Sequence, residues 1–198
     1  EPLGIVDLGA AAGTTHFLVT WTGLLSPGAV SLSNVVALTT GAVQLDAGAR
    51  LVPVSDTLGP RPVATATGFT VAFQPDDANT IAARTFDAAG QPLSAPVILW
   101  SGKATSHLGF DCTAAGDCLA AWAEPWGAVT EPYFARLSAS GQGLDDGGIA
   151  PLSSLNAQWA PAAAFNGTHW LMVWEDDRSG DRDLYGVLWA TAESDPEG

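Results

Sequence analysis

Six carboxylates follow short apolar segments of the chain, at positions where loops are expected. They are Asp76, Asp77, Glu124, Glu131, Glu175 and Asp176. Two carboxylates that face each other across a cleft can cleave a glycosidic bond, one as the acid and the other as base or nucleophile. Spacing alone does not say which of these residues pair, so the sequence assigns no catalytic residue.

One tryptophan lies beside these acids without an obvious structural reason. Trp126 sits in the segment "AEPWGAVTE", among Pro and Gly residues, where we expect a loop. A tryptophan next to carboxylates can stack on a sugar while the acids form hydrogen bonds. We therefore group Trp126 with the six carboxylates as candidate ligand-binding residues, with simple packing as the alternative.

The segment "EDDRSGDRD" combines acids, a glycine and two arginines, and it raises the question of a metal site. Its possible calcium ligands are Asp177, Ser179, Asp181 and Asp183, with Gly180 allowing the bend. A calcium loop of the EF-hand type also needs a bidentate Glu, which is absent here. Arg178 and Arg182 can neutralise the acids without a cation. We expect no metal or other cofactor, with calcium as the alternative.

The two cysteines of the chain flank a tight turn in "CTAAGDC". If Thr113 pairs with Asp117, the loop has three residues with Gly116 in the left-handed position, and Cys112 lies opposite Cys118. Opposed strand residues have Cα separations within the disulfide range. A zinc site would need two more ligands, which the surrounding sequence does not supply convincingly. We predict a disulfide, and therefore a secreted or cell-surface protein.

The elements that must position these residues repeat along the chain. Four similar segments, "HFLVTW", "GFTVAF", "DCLAAW" and "HWLMVW", end at the anchor residues Trp21, Phe73, Trp122 and Trp174. Successive anchors are 52, 49 and 52 residues apart. A period of about 50 residues is typical of repeat architectures such as propellers.

The flanks of the anchors repeat as well, and they indicate four short strands in each unit. A small-residue strand precedes the anchor strand, and two further strands separated by turns follow it. Such units are typical of the blades of a β-propeller. A Greek-key β-sandwich is the alternative, but it gives no reason for an aromatic residue to return every 50 residues. We predict an all-β, four-bladed β-propeller of four-stranded antiparallel blades.

The fourth repeat resembles a known group of repeats. The pattern P-x-x-A-x-x-G-x-x-W-L-x-V-W-E-D-x-R-x-G-x-x-D-L-Y-G, read from Pro161 to Gly186, is similar to repeats of secreted bacterial β-propeller proteins found in multi-blade cell-surface polypeptides. The other repeats keep the anchor but not the acidic turn. The resemblance implies a fold and an extracytoplasmic location more than an activity.

The repeat boundaries predict one domain over 1–190 and an acidic tail over 191–198. The expected blades cover about 9–58, 59–104, 105–156 and 157–190, a size that resembles hemopexin-like propellers. We expect the N-terminal strand 3–8 to complete the fourth blade and close the ring. The alternative is that this strand begins the first blade and that the chain is part of a larger propeller.

Charge and missing motifs restrict the function. The net charge of −14 repels phosphate backbones, so we expect no nucleic-acid partner. The apolar runs are too short to insert into a bilayer, and no hydrolase elbow or HExxH metal motif is present. We expect a non-catalytic binding or scaffolding module for a glycan or protein, of unassigned oligomeric state. The alternatives are a glycoside hydrolase and a structural segment of a larger propeller.

Overall fold

Residues 4–25, 28–37, 49–53, 58–75, 79–102, 106–126, 129–145, 147–151 and 156–190 are described by a computed structural model. Within these ranges all regular structure is β, and the antiparallel strands form four sheets that follow one another along the chain. We call these sheets blades 1 to 4. The described part of the chain contains no helix that could span a membrane. The all-β prediction is confirmed.

Each blade is built from strands that pair in chain order. Blade 1 contains β1 (Gly4–Ala12), β2 (His16–Leu25), β3 (Gly28–Ala37) and β4 (Ala49–Pro53). Blade 2 contains β5 (Arg61–Ala64), β6 (Gly68–Phe73), β7 (Thr80–Asp87) and β8 (Val97–Ser101). Blade 3 contains β9 (Ser106–Cys112), β10 (Cys118–Trp126) and β11 (Val129–Leu137). Blade 4 contains β12 (Gln158–Phe165), β13 (His169–Asp176) and β14 (Asp183–Ala190).

The anchor residues all lie in the second strand of a blade, as their spacing predicts. Trp21, Phe73, Trp122 and Trp174 belong to β2, β6, β10 and β13, and all four are buried. In blade 2 every residue of the second strand is buried. A strand that is covered on both faces is expected to be apolar throughout rather than alternating. The continuous apolar run of β6 follows from this double coverage, whereas β13 alternates between buried and exposed residues.

The core lies in the junctions between consecutive blades. The first strands of the blades contact in succession, β1 with β5, β5 with β9 and β9 with β12. Beside them, apolar side chains of one blade pack against the anchor strand of the next, as Leu18 of blade 1 does in one cluster with Phe73 of blade 2. Similar clusters include Trp122 at the second junction and Trp174 at the third.

An arginine on β5 joins three first strands. Arg61 Nη1 donates to Asp7 Oδ2 on β1 at 2.8 Å, and Arg61 Nε donates to the Leu108 carbonyl on β9 at 3.1 Å. Both charged side chains are about one-third exposed. Arg61 therefore links blades 1, 2 and 3 through their first strands.

The N-terminal strand does not complete the fourth blade, contrary to our expectation. Residues 4–12 form β1, which pairs with β2 as the first strand of blade 1. The acidic tail 191–198 lies outside the described residues. An apolar edge strand can pair with either of two neighbouring sheets by the same backbone hydrogen bonds, so its composition does not fix its blade.

The cysteine hairpin has the predicted form. Cys112 and Cys118 lie opposite each other on β9 and β10, with a Cα separation of 4.0 Å, and form a disulfide. The Thr113 amide donates to the Asp117 carbonyl at 2.7 Å. Gly116 has φ 103°, a value that residues with a Cβ rarely adopt. The hairpin geometry thus brings the two sulfur atoms together.

Candidate active site

The hairpin of β10 and β11 brings two of the candidate carboxylates side by side. Glu124 lies directly opposite Glu131 in the strand register. Residues in this relation project from the same face of the sheet, with Cβ atoms about 4.5 to 5.5 Å apart. Glu131 is buried and Glu124 is half-buried. A pair that sequence spacing could not identify is therefore formed by cross-strand pairing.

Tyr133 completes this group, and the sequence analysis missed it. Its pKa is raised, first by burial, then by the negative charges of Glu131 and Glu124 and by a hydrogen bond to Glu131. A protonated phenol can only donate to a carboxylate, so the hydroxyl of Tyr133 points its proton at Glu131. Side chains two residues apart on a strand share a face, which is the signal that could have identified Tyr133. We call these three residues the carboxylate cluster.

Aromatic rings from two blades pack around Tyr133, the aromatic member of the carboxylate cluster. Trp100 on β8 stacks on Tyr133 with ring centroids 5.5 Å apart and an interplanar angle of 20°. The ring of Trp122 lies 5.8 Å from Trp100 and 6.2 Å from Tyr133. The cluster therefore lies at the junction of blades 2 and 3. A cavity of about 410 Å³ adjoins Trp100 and is also lined by Ser101 and Asp145.

Three candidate residues are only partly described or not described. Trp126 is the last residue of β10 and pairs with Val129, so the expected loop position is wrong. The strand continues to the very edge of the hairpin despite Pro125, which lies within β10. The side chain of Trp126, and the whole of Asp76 and Asp77, lie outside the described residues.

Asp176 is fully buried and serves as the hydrogen-bonding centre of its turn. Its carboxylate accepts from Gln158 Nε2 at 2.5 Å, Trp174 Nε1 at 3.4 Å and the Arg178 amide at 2.9 Å. The Arg178 guanidinium pairs with the same carboxylate and lies 4.2 Å from the Tyr185 ring. Burial alone would raise the pKa of Asp176, but the hydrogen bonds from Arg178, Gln158 and Trp174 lower it far below its usual range.

Glu175 points away from Asp176, because neighbouring residues of a strand face opposite sides of the sheet. Its carboxylate pairs with Arg182 Nη1 at 3.4 Å. The Arg182 guanidinium also covers the ring of Trp159 at 4.3 Å. Glu175 thus belongs to the outer surface of blade 4 and not to the carboxylate cluster.

The calcium candidates Asp177, Asp181 and Asp183 differ in how their oxygens are used: Asp183 accepts with its carboxylate and Asp181 with its backbone carbonyl, whereas Asp177 Oδ1 is buried without a hydrogen-bond partner in the part of the chain that the structure describes. Ser179 Oγ donates to Asp183 Oδ2 at 2.5 Å and to the Asp181 carbonyl at 3.2 Å. The Asp177 carbonyl accepts from the Gly180 amide at 2.9 Å. Among the described residues, no three His, Cys, Asp or Glu side chains come together as a metal site requires.

The fold resembles solved structures of glycoside hydrolases. The GH43 endo-arabinanase from Bacillus licheniformis aligns with 12% identity and a TM-score of 0.51, over 96% of this chain and 75% of its own. An endo-arabinase from Bacteroides thetaiotaomicron VPI-5482 aligns with 9% identity and a TM-score of 0.43 over the same shares. No family model and no curated protein matches the chain. The predicted β-propeller fold is confirmed.

This finding corrects our expectation of function. The sequence suggested a non-catalytic binding or scaffolding module, and that expectation is wrong. The endo-arabinanase that aligns with a TM-score of 0.51 fits the alternative of a glycoside hydrolase better. The sequence misled because the absence of nucleophile and metal motifs says little about an activity that needs only two carboxylates in suitable positions.

Proposed function

We propose that the chain is a glycoside hydrolase whose acid and nucleophile are Glu124 and Glu131. The observation that carries the proposal is the directly opposed position of these two carboxylates, with the Tyr133 hydroxyl donating to one of them. Retaining glycoside hydrolases hold their two carboxyl groups about 5 to 5.5 Å apart, whereas inverting enzymes need a wider gap for water. Cross-strand neighbours favour the shorter separation.

The hydrogen bond from Tyr133 divides the roles. A donor stabilises an ionised carboxylate, so Glu131 is the nucleophile and Glu124 is the acid. Glu124 donates its proton to the leaving oxygen as the glycosidic C–O bond breaks, and a Glu131 oxygen bonds to the anomeric carbon. Water then gives a proton to Glu124 and cleaves that ester, which restores both carboxyl groups with net retention at the anomeric carbon.

The surroundings of the carboxylate cluster suit a carbohydrate. Trp100 stacks on Tyr133 and also lines a cavity of about 410 Å³ together with Ser101 and Asp145. Flat apolar rings beside polar side chains are what sugar recognition requires. The similarity to an endo-arabinanase makes arabinan the first polysaccharide to test.

We also propose that the protein acts outside the cytoplasm. The disulfide between Cys112 and Cys118 supports this location, since such bonds persist in oxidising compartments. The resemblance of the fourth repeat to secreted bacterial propeller repeats agrees with it. A polysaccharide substrate would be met in the same compartment.

Sugar release from a panel of polysaccharides tests the hydrolase. Arabinan, xylan, galactan and cellulose are incubated with the chain, and new reducing ends are measured. We expect Glu124→Gln and Glu131→Gln to lower the rate by about 100-fold or more, as loss of acid or nucleophile does. Glu175→Gln is the matched control, because this carboxylate also lies near the end of a second strand but on the outer surface, and it should retain the wild-type rate.

Azide separates the two roles. The small anion can replace a missing nucleophile, so we expect it to restore sugar release in Glu131→Ala as the glycosyl azide of inverted configuration. In Glu124→Ala it should give the azide of retained configuration. A wild-type chain that releases no sugar from any substrate rules out the hydrolase, and full activity in Glu131→Gln rules out this pair of residues.

A further inference from the structure

The outer face of blade 4 exposes three leucines that no other described blade covers. Leu184 is 79% exposed, Leu188 is 57% exposed and Leu171 is 43% exposed. Leu171 pairs with Leu188, and Leu184 pairs with Glu175, two pairs further along the same face. Contiguous apolar surface of this kind marks an interaction site on a water-facing protein.

The repeat shows what covers this position elsewhere in the chain. Leu171 lies three residues before the anchor Trp174, and Leu18 and Leu119 occupy the same place before Trp21 and Trp122. Leu18 is buried against blade 2 and Leu119 against blade 4. This position therefore faces the following blade, and blade 4 is the last described blade.

Blade 1 presents the other half of such a junction. Its anchor Trp21 is on the face that receives the preceding blade in the other repeats, and Leu8 lies directly opposite it in the register. Leu8 is 64% exposed, and Phe17, two pairs further along this face, is also exposed. The first strands of blades 1 and 4 make no contact comparable to those between consecutive blades in the described residues.

We propose that a second copy of this chain docks head to tail, with the outer face of blade 4 of one copy against the exposed Leu8 and Phe17 of blade 1 of the other. The two faces are complementary halves of a junction that the chain already makes three times within itself. Forming both contacts closes a two-fold ring, and closure avoids the open filament that a head-to-tail contact otherwise gives.

The size and charge of the faces suit this arrangement. Two copies of four blades make eight, which is within the range of about 4 to 8 blades in known propellers. The one acidic side chain among the leucines, Glu175, is paired with Arg182. Despite the net charge of −14 per copy, the described residues of the docking surface on blade 4 therefore bury no unpaired carboxylate.

Sedimentation equilibrium between about 1 and 100 µM chain tests the assembly, because association depends on concentration. We expect twice the mass of one chain for the wild type, and at least a 10-fold weaker association for Leu184→Glu with Leu188→Glu. The matched control replaces two leucines that are equally exposed on other surfaces, Leu93 and Leu144, at 63% and 51% exposure. Leu93→Glu with Leu144→Glu should associate as the wild type does.

Mixing variants distinguishes head-to-tail contact from nonspecific hydrophobic association. Leu8→Glu damages the blade 1 face, and Leu184→Glu damages the blade 4 face. A mixture of these two variants still contains one intact junction, so it should form a heterodimer that neither variant forms alone. A wild type that is monomeric at about 100 µM overturns the proposal. In that case, a further blade of a longer polypeptide would cover the outer face of blade 4. Equal weakening by the control variant overturns the proposal as well.

Discussion

A fully buried carboxylate is tolerated only when its charge is paired and its oxygens are hydrogen-bonded. Asp176 meets both conditions through Arg178, Gln158 and Trp174. Its repeat equivalent in blade 3 is Glu124, two residues after Trp122. One position of the repeat is thus structural in blade 4 and part of the proposed active site in blade 3.

Replacing Asp176 should destabilise the fold. We expect Asp176→Ala to lower the free energy of unfolding by about 3 kcal/mol, because the Arg178 charge and the buried Gln158 amide lose their acceptor. Urea denaturation measures the change. Asp181→Ala is the control, since that exposed side chain lies in the same turn and should change stability by less than about 0.5 kcal/mol. Equal effects of the two substitutions would contradict a structural role for Asp176.

The lowered pKa of Asp176 predicts part of the loss of folding stability in acid. Its folded-state pKa is lowered, so its contribution is present above the unfolded pKa of about 3.9 and is lost as the pH falls below that value. Unfolding free energies between about pH 6 and 3 should therefore decline more steeply for the wild type than for Asp176→Asn. Parallel curves would show that other groups account for the decline.

Tyr133 should be visible in an alkaline titration. Because its pKa is raised in the folded state, ionisation of this residue lies above the usual value of about 10. Its contribution to stability is present below that unfolded value and is lost as the pH rises through the folded-state pKa. The folded wild type should show a rise in phenolate absorbance above the usual pKa of tyrosine. We expect this rise to be absent in Tyr133→Phe.

Removing one negative neighbour tests the cause of that shift. Glu131→Gln should move the Tyr133 step to lower pH, since both a charge and a charged acceptor are lost. Glu175→Gln should leave the step in place. If Glu131→Gln does not move it, Tyr133 does not interact with Glu131 as described.

At the scale of single elements, the disulfide hairpin joins β9 to β10 at the end opposite Glu124. A bond that closes so short a loop restricts the unfolded chain only modestly. We expect Cys112→Ala with Cys118→Ala to cost about 2 kcal/mol of unfolding free energy. Denaturation of both proteins by urea measures this, and reduction of the wild type with a thiol should give the same loss. A loss only on reduction would point to damage elsewhere.

The second strands were the most predictable elements. Each carries a dense apolar run that ends at a buried aromatic anchor such as Trp122 or Trp174, although one face of β13 is exposed. The blade of an edge strand was not predictable, because the backbone bonds that recruit β1 to β2 are the same for any sequence. Trp126 was placed in a loop because Pro and Gly surround it, yet the pairing with Val129 extends β10 to include it.

The sequence named Glu124 and Glu131 among six candidate carboxylates, but it missed Tyr133 and could not pair the two acids. Their opposed position depends on the register of β10 against β11. A shift of one residue would place them on opposite faces. The stacking of Trp100 on Tyr133 was also unpredictable, because the two residues belong to different blades. Such contacts are set by the docking of whole blades.

The link that Arg61 makes between β1 and β9 bears on the order of folding at the scale of the whole molecule. Within a blade, strands pair with neighbours in the chain, so each hairpin closes a short loop and forms quickly. Arg61 instead meets Asp7, 54 residues away, and Leu108, 47 residues away. We therefore expect these contacts to form only after the three blades have met, so that loss of Arg61 speeds unfolding more than it slows folding.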